Sequence, residues 1–298
     1  FLFNVDSFML LIIFALLVYF FLMPIDPLTE SLNFTVSEMT RVSYGSIRTY
    51  GALGYAVLAL ISGFAMDYFG VSSVSILFII VGIISFGVIW FMPEVQASSK
   101  PVTMEGFKQV LNNKEMLLFL ALVFISAIPA RMNDTFLGIH IKALGGDTSL
   151  VGIAFFIAAT SEIVIFALSF WWLRKGKEME IITIATFFYF LRFLASGFVT
   201  SPIVLTLLQV LQMLTFPIFY TAAIQYLYQI MPKEWRATGQ TILALLFFGL
   251  SSIIASYAGG YIYNEFGGHS FYFIISAMSF IGVLFGILLT IRKHKLNK

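Results

Sequence analysis

Long apolar blocks separated by short polar joints dominate this chain. Nine of them can be marked, at residues 7–23, 47–66, 71–91, 116–141, 150–173, 181–199, 203–230, 238–263 and 270–291. Each is close to or beyond the roughly 20 residues that carry a helix across a bilayer. The expected fold is therefore an all-α integral membrane bundle.

The joints carry the second signal. Arg41 follows the first run; Lys100, Lys108 and Lys114 follow the third; Arg174, Lys175 and Lys177 follow the fifth. Lys233 and Arg236 follow the seventh, and Arg292, Lys293, Lys295 and Lys298 form the tail. The alternate joints at 67–70, 145–148, 200–202 and 264–268 hold neither Lys nor Arg. Basic loops face the cytoplasm, so every run alternates without conflict and the C-terminus lies inside. The longest joint holds Pro93, Ser98, Ser99 and Pro101, and reads as a cytoplasmic linker. Met104, Phe107, Val110 and Leu111 within it are spaced for one apolar helical face, which suits either an interfacial helix or a plain linker.

An internal repeat bears on domain organisation. Gly63-Phe64-Ala65-Met66-Asp67-Tyr68-Phe69-Gly70 ends the second run, and Gly260-Tyr261-Ile262-Tyr263-Asn264-Glu265-Phe266-Gly267 ends the eighth. The offset is 197 residues, from 63 to 260 and from 70 to 267. The first three runs thus match the last three, and the middle three lack counterparts. The expectation is nine helices of a twelve-helix protein, N-terminally incomplete and built from two parallel halves, a transporter architecture. Its parts would be residues 1–93 (three helices of the first half), 94–115 (linker), 116–292 (the six-helix second half) and 293–298 (cytoplasmic tail).

Composition agrees. The chain is 60% hydrophobic and 17% aromatic but only 11% charged, against about 25% charged for soluble domains. A net charge of +2, with bases at segment ends, gives no case for a nucleic-acid partner. The absence of cysteine excludes disulfides and thiolate chemistry. No Gly-rich phosphate loop, His-Glu-x-x-His or serine elbow is present, and His140, His269 and His294 are too scattered for a metal site. The chain reads as a non-enzyme without a cofactor.

Charges inside the apolar runs are the candidate chemistry. An arginine at mid-bilayer costs about 2.5–3.5 kcal/mol on insertion scales and faces a partner or a wet cavity. Arg48 lies near the start of the second run, on a segment where Gly45, Gly51 and Gly54 would let a neighbouring backbone come close. Asp26 and Glu30 sit at about its depth, so Glu30 and Arg48 form either a clamp for a polar solute or a structural pair. Glu162 and Arg192 both arrive near the midplane of antiparallel neighbours. Glu162 is then a carboxyl group that exchanges a proton with the transport cycle, or half of a permanent ion pair. Arg131 and Asp134, spaced i, i+3, can pair locally. Gln212, Thr215, Tyr220 and Gln225 form a polar line suited to a cavity wall. His140 reads as a wet interfacial residue, and Asp67 and Asn264 as turn residues before glycine.

Pro27-Leu28-Thr29-Glu30, the eighteen-residue step to Arg48, and then Gly51, Gly54 and Tyr55 resemble the sugar-binding stretch of lactose permease and its relatives in the major facilitator superfamily. The similarity continues through Arg192, Ser196, Phe198, Thr200, Ser201, Gln212, Met213 and Pro217. The resemblance implies that Glu30 and Arg48 hold solute hydroxyls, that Tyr55 stacks on a sugar ring, and that Arg192 and Glu162 serve proton coupling and binding. Two departures stand out. Gln212 and Thr215 replace a His and a Glu of proton transfer, and Asn133 and Gln209 replace an Asp–Lys pair. A broader group of bacterial permeases, resembling phenylpropionate and nucleoside transporters, shares the Tyr-Gly-x-x-Arg opening. The implied activity is proton-coupled import of a sugar, oligosaccharide or nucleoside-like solute across a bacterial-type plasma membrane by a monomer. Solute contacts would come from Glu30, Arg48, Tyr55, Gln212 and Thr215, and coupling from Glu162, Arg192 and Asp134. An exporter on the same scaffold and a non-transporting receptor are the other readings.

Overall fold

A computed structural model of the chain describes residues 7–22, 25–42, 44–91, 112–232 and 235–296, without the side chains of Asp26, Pro27, Glu30 and several of their neighbours. The elements are helices throughout. They are α1 (Phe8–Leu22), α2 (Ile25–Thr40), α3 (Tyr44–Phe69), α4 (Ser73–Ile89), α5 (Lys114–Ala143), α6 (Thr148–Ala167), the single turn α7 (Ser169–Trp172) and α8 (Glu178–Phe198). There follow α9 (Pro202–Leu207), a 3-10 stretch (Leu208–Leu214), α10 (Phe216–Ile230), α11 (Arg236–Ala244), a π turn (Leu245–Leu250) and α12 (Ser251–Leu296).

Among the described residues, six helices are long and apolar enough to cross a membrane, and α1 and α4 are shorter apolar helices. The last of the six bends back at Gly267, whose φ of 74° and ψ of 170° only glycine adopts without strain. No residue of α1 or α4 is buried; a helix apolar all round suits a lipid surround. The main core lies elsewhere, where α12 packs on α8 and α5, and α10 packs on α8. The segment at 94–111, with its suggested interfacial helix, lies outside the described residues.

Helix ends follow local chemistry. Asn113 caps α5 by accepting from the backbone N–H of Glu115 and Met116 at 3.0 and 3.1 Å. Asp147 caps α6 through the N–H of Leu150 at 2.7 Å.

Two expectations about local structure change. The apolar run at 203–230 is not one helix. Pro217 has no N–H to give and disfavours the α conformation of its predecessor, and Thr215 breaks the run at φ −112°, ψ −95°. The close approach also comes from a different glycine. Gly51 and Gly54 have open space where a Cβ would stand, whereas a Cβ on Gly63 would lie 2.8 Å from the Cα of Gly152. The backbones of α3 and α6 meet at that pair because neither residue has a side chain to hold them apart.

Candidate functional site

A cavity of about 570 Å³ opens between α3 on one side and α5, α6, α8 and the 3-10 stretch on the other. That volume is in the range of small-molecule sites. Arg48, Arg131, Asp134, Glu162 and Arg192 all line it. These five of the charges singled out in the sequence therefore share one chamber.

The 3-10 stretch builds one wall. With three residues per turn, side chains three apart eclipse one another. Gln209 and Gln212 are three apart, so both project along one stripe, and Arg192 of α8 lies against it; Thr215, at the break that ends the stretch, reaches the same guanidinium. The guanidinium donates through Nη2 to Gln209 Oε1 and through Nη1 to Gln212 Oε1. Thr215 Oγ1 accepts a third bond from Nη1 at 3.3 Å. Gln209 in turn donates to the carbonyl of Leu205 at 2.8 Å. Arg192 is 2% exposed, so neutral oxygens replace the water it has lost.

Gln212 links this arginine to an acid. Its Nε2 donates to Glu162 Oε1 at 2.8 Å. The opposite amide orientation would set NH2 against guanidinium and oxygen against carboxylate, so both neighbours fix it the same way. In place of the permanent Glu162–Arg192 ion pair, the alternative reading of these two residues, there is a relay, Glu162 to Gln212 to Arg192. A side chain with both a donor and an acceptor fits between the two charges and satisfies each.

Arg131 and Asp134 do pair, with Nη2 2.7 Å from Oδ2. The Arg131 guanidinium lies over the rings of Phe247, Phe248 and Phe216, at 5.0, 5.2 and 6.0 Å to their centroids. Arg48, across the cavity, sits 5.3 Å from the centroid of Phe166 and 5.7 Å from that of Tyr220. Cations over aromatic faces gain about 0.5–2 kcal/mol each.

The remaining expectations divide. Tyr55 and Gln212 line the cavity. Thr215 does not: expected to touch a solute, it is fully buried behind Gln212, to whose carbonyl it donates at 3.0 Å. The break before Pro217 turns it inward. The side chain of Glu30 lies outside the described residues, although Thr29 and Asn33 of the same helix line the cavity. The polar line of the seventh run also divides. Tyr220 joins a ring cluster with Phe216, Phe247 and Phe248, while Gln225 donates to Glu178 at 3.1 Å.

His140 is no wet interfacial residue. It is 2% exposed, with Nδ1 3.0 Å from the hydroxyl of Tyr263 and its ring edge-on to His269. Asp67 is more than a turn residue. Its carboxylate accepts from the backbone N–H and the hydroxyl of both Thr148 and Ser149, capping α6 from α3. Local sequence gave no sign of this, because the partners lie about 80 positions away in sequence.

The chain as a whole is similar to known membrane transporters. The MFS_1-like family model matches residues 1–274. The uncharacterized transporter YwbF of Bacillus subtilis (strain 168) is 27% identical over 98% of this chain and 73% of its own length. The maltose permease of Geobacillus stearothermophilus is 22% identical over 91% of this chain and 69% of its own. The probable 3-phenylpropionic acid transporter of Escherichia coli (strain K12) is 22% identical, at 87% and 69% coverage.

Proposed function

The chain belongs to the MFS_1-like family of major facilitator permeases, and from that premise we propose that it imports a small polar solute by proton symport and alternating access. The solute is a sugar, an oligosaccharide or a nucleoside-like compound. One observation carries this reading: three arginines and two carboxylates converge on a single cavity in a multi-pass membrane protein. Charges are expelled from lipid unless something polar meets them, and a chamber that collects them offers a polar solute hydrogen bonds that lipid cannot.

In this reading Glu30, Arg48, Tyr55, Gln212 and Thr215 serve the solute, Thr215 through the placement of Gln212. Glu162, Arg192 and Asp134 serve the proton. Glu162 carries it: as a carboxylate it only accepts hydrogen bonds, and once protonated it also donates one, which changes what it offers to Gln212 and to a solute hydroxyl. Coupling requires that this change bias the inward- and outward-open states differently. The protein needs no cofactor beyond the proton gradient, acts as a monomer in a bacterial-type plasma membrane, and keeps its C-terminus inside. Two parallel six-helix halves, divided at the 94–115 linker, complete a twelve-helix carrier.

The test is flux into proteoliposomes with an imposed proton gradient, using labelled maltose, lactose and uridine. We expect gradient-driven accumulation of at least one. Glu162→Gln should abolish accumulation while leaving counterflow exchange intact. Accumulation retained by Glu162→Gln would remove Glu162 from coupling, and proton-driven movement in the opposite direction would make the protein an exporter.

A further inference from the structure

The cavity has a second charged pole, which the assignment of solute contacts above leaves unused. Phe247 and Phe248 are consecutive, and on an α-helix their side chains would diverge by about 100°. The π turn at Leu245–Leu250 widens the helix where they sit, and both rings reach the Arg131 guanidinium. Phe216, from α10, supplies a third ring.

The guanidinium is planar, so it hydrogen-bonds only along its edges. One edge meets Asp134, and Nε is buried without an acceptor. Asp134 takes one more bond, from Asn133 Nδ2 at 3.4 Å, and stays 35% exposed. Because Arg131 and Asp134 lie i, i+3 on one helix, their pairing ties no two helices together. What crosses between helices is the packing of Arg131 on the rings, and Asp134 adds nothing to that; a structural lock does not explain the carboxylate.

What the arrangement offers is a row of N–H donors beside a carboxylate acceptor, next to Phe216 and Phe248, which line the same cavity. We propose that Arg131 and Asp134 are solute-recognition residues that grip a vicinal diol. One hydroxyl accepts from the guanidinium, its neighbour donates to the carboxylate, and the apolar face of the solute ring lies on Phe216 and Phe248. This rests on the solute reading above, gives Asp134 a solute contact in addition to its part in coupling, and narrows the solute: sugars, oligosaccharides and ribonucleosides all carry such a diol.

The test is equilibrium binding to the purified full chain in nanodiscs, with two matched probe pairs. These are uridine against 2′,3′-dideoxyuridine, and maltose against permethylated maltose. The intact protein is expected to bind uridine or maltose and to lose at least tenfold in affinity for the matching diol-free probe. Arg131→Lys and Asp134→Asn should each weaken the diol probe about tenfold, the factor that 1.4 kcal/mol represents. Neither should change binding of the diol-free partner, which a general structural defect would weaken as well. Asp134→Asn preserves side-chain size and carries the test if Arg131→Lys does not fold.

Wild-type affinity in both variants overturns the proposal, and if Arg48→Lys still weakens binding the solute reading survives. Equal affinity for a diol and its diol-free partner also overturns it. Binding of neither uridine nor maltose by the intact protein removes this solute class and the proposal with it.

Discussion

Arg192 and Arg131 line the same cavity, but the protein holds them by opposite means. Arg192 is sealed against a stripe of neutral oxygens from Gln209, Gln212 and Thr215, and only 2% of it is exposed. Arg131 rests on aromatic faces, keeps 18% of its side chain exposed, and is paired with a carboxylate that is itself a third exposed. The same split separates the glycines: Gly152 is pressed against the backbone of α3, while Gly51 lines the cavity with open space where a Cβ would stand. The sealed region sets the geometry and the open region is left for a ligand. A charge whose partners are all internal cannot rearrange without leaving buried groups unpaired. A charge at the cavity edge can exchange partners at little cost.

That contrast is open to direct measurement, with thermal unfolding in detergent as the readout. The largest effect is expected for Arg192→Leu. It removes one donor system and strands the oxygens of Gln209, Gln212 and Thr215, each at about 1–3 kcal/mol. Arg192→Lys should recover only part, since an ammonium lacks the guanidinium fork. Next comes Gly152→Ala, whose new Cβ would lie 2.8 Å from both the carbonyl of Ala59 and the Cα of Gly63; forced overpacking costs about 1–3 kcal/mol.

Asp67→Asn should lower the melting temperature less than Gly152→Ala. It should also raise alkylation of a cysteine introduced at Ser149, because the carboxylate that ties α3 to the start of α6 is gone. Asp134→Asn should cost under about 1 kcal/mol, as for other partly exposed ion pairs. Gly51→Ala should be neutral or stabilising by up to about 1 kcal/mol, the helix-propensity difference. A loss at Asp134 as large as that at Arg192 would erase the distinction between the two arginines. A destabilising Gly51→Ala would do the same for the glycines.

Much of the chamber was legible beforehand. Arg48, Arg131, Asp134, Glu162 and Arg192 stand out because each is a charge within an apolar run, and such charges need a common polar enclosure. The i, i+3 spacing of Arg131 and Asp134 was enough to foresee their pairing, since both partners sit on one helix. The 3-10 stripe was only half legible. Residues three apart before a proline are visible in the sequence, but the same spacing also reads as one face of an α-helix. The difference decides whether Thr215 meets a solute or supports Gln212.

By itself, then, the sequence determined that this is a multi-pass membrane protein and which side chains cannot face lipid. Hydropathy and charge act residue by residue, and no knowledge of distant neighbours is needed to apply them. Only the tertiary structure decided that Gln212 stands between Glu162 and Arg192, that Gly63 rather than Gly51 meets the neighbouring backbone, and that Asp67 caps a helix about 80 residues away. Those are contacts between segments remote in sequence. Packing selects them from many partners that local chemistry would accept equally well.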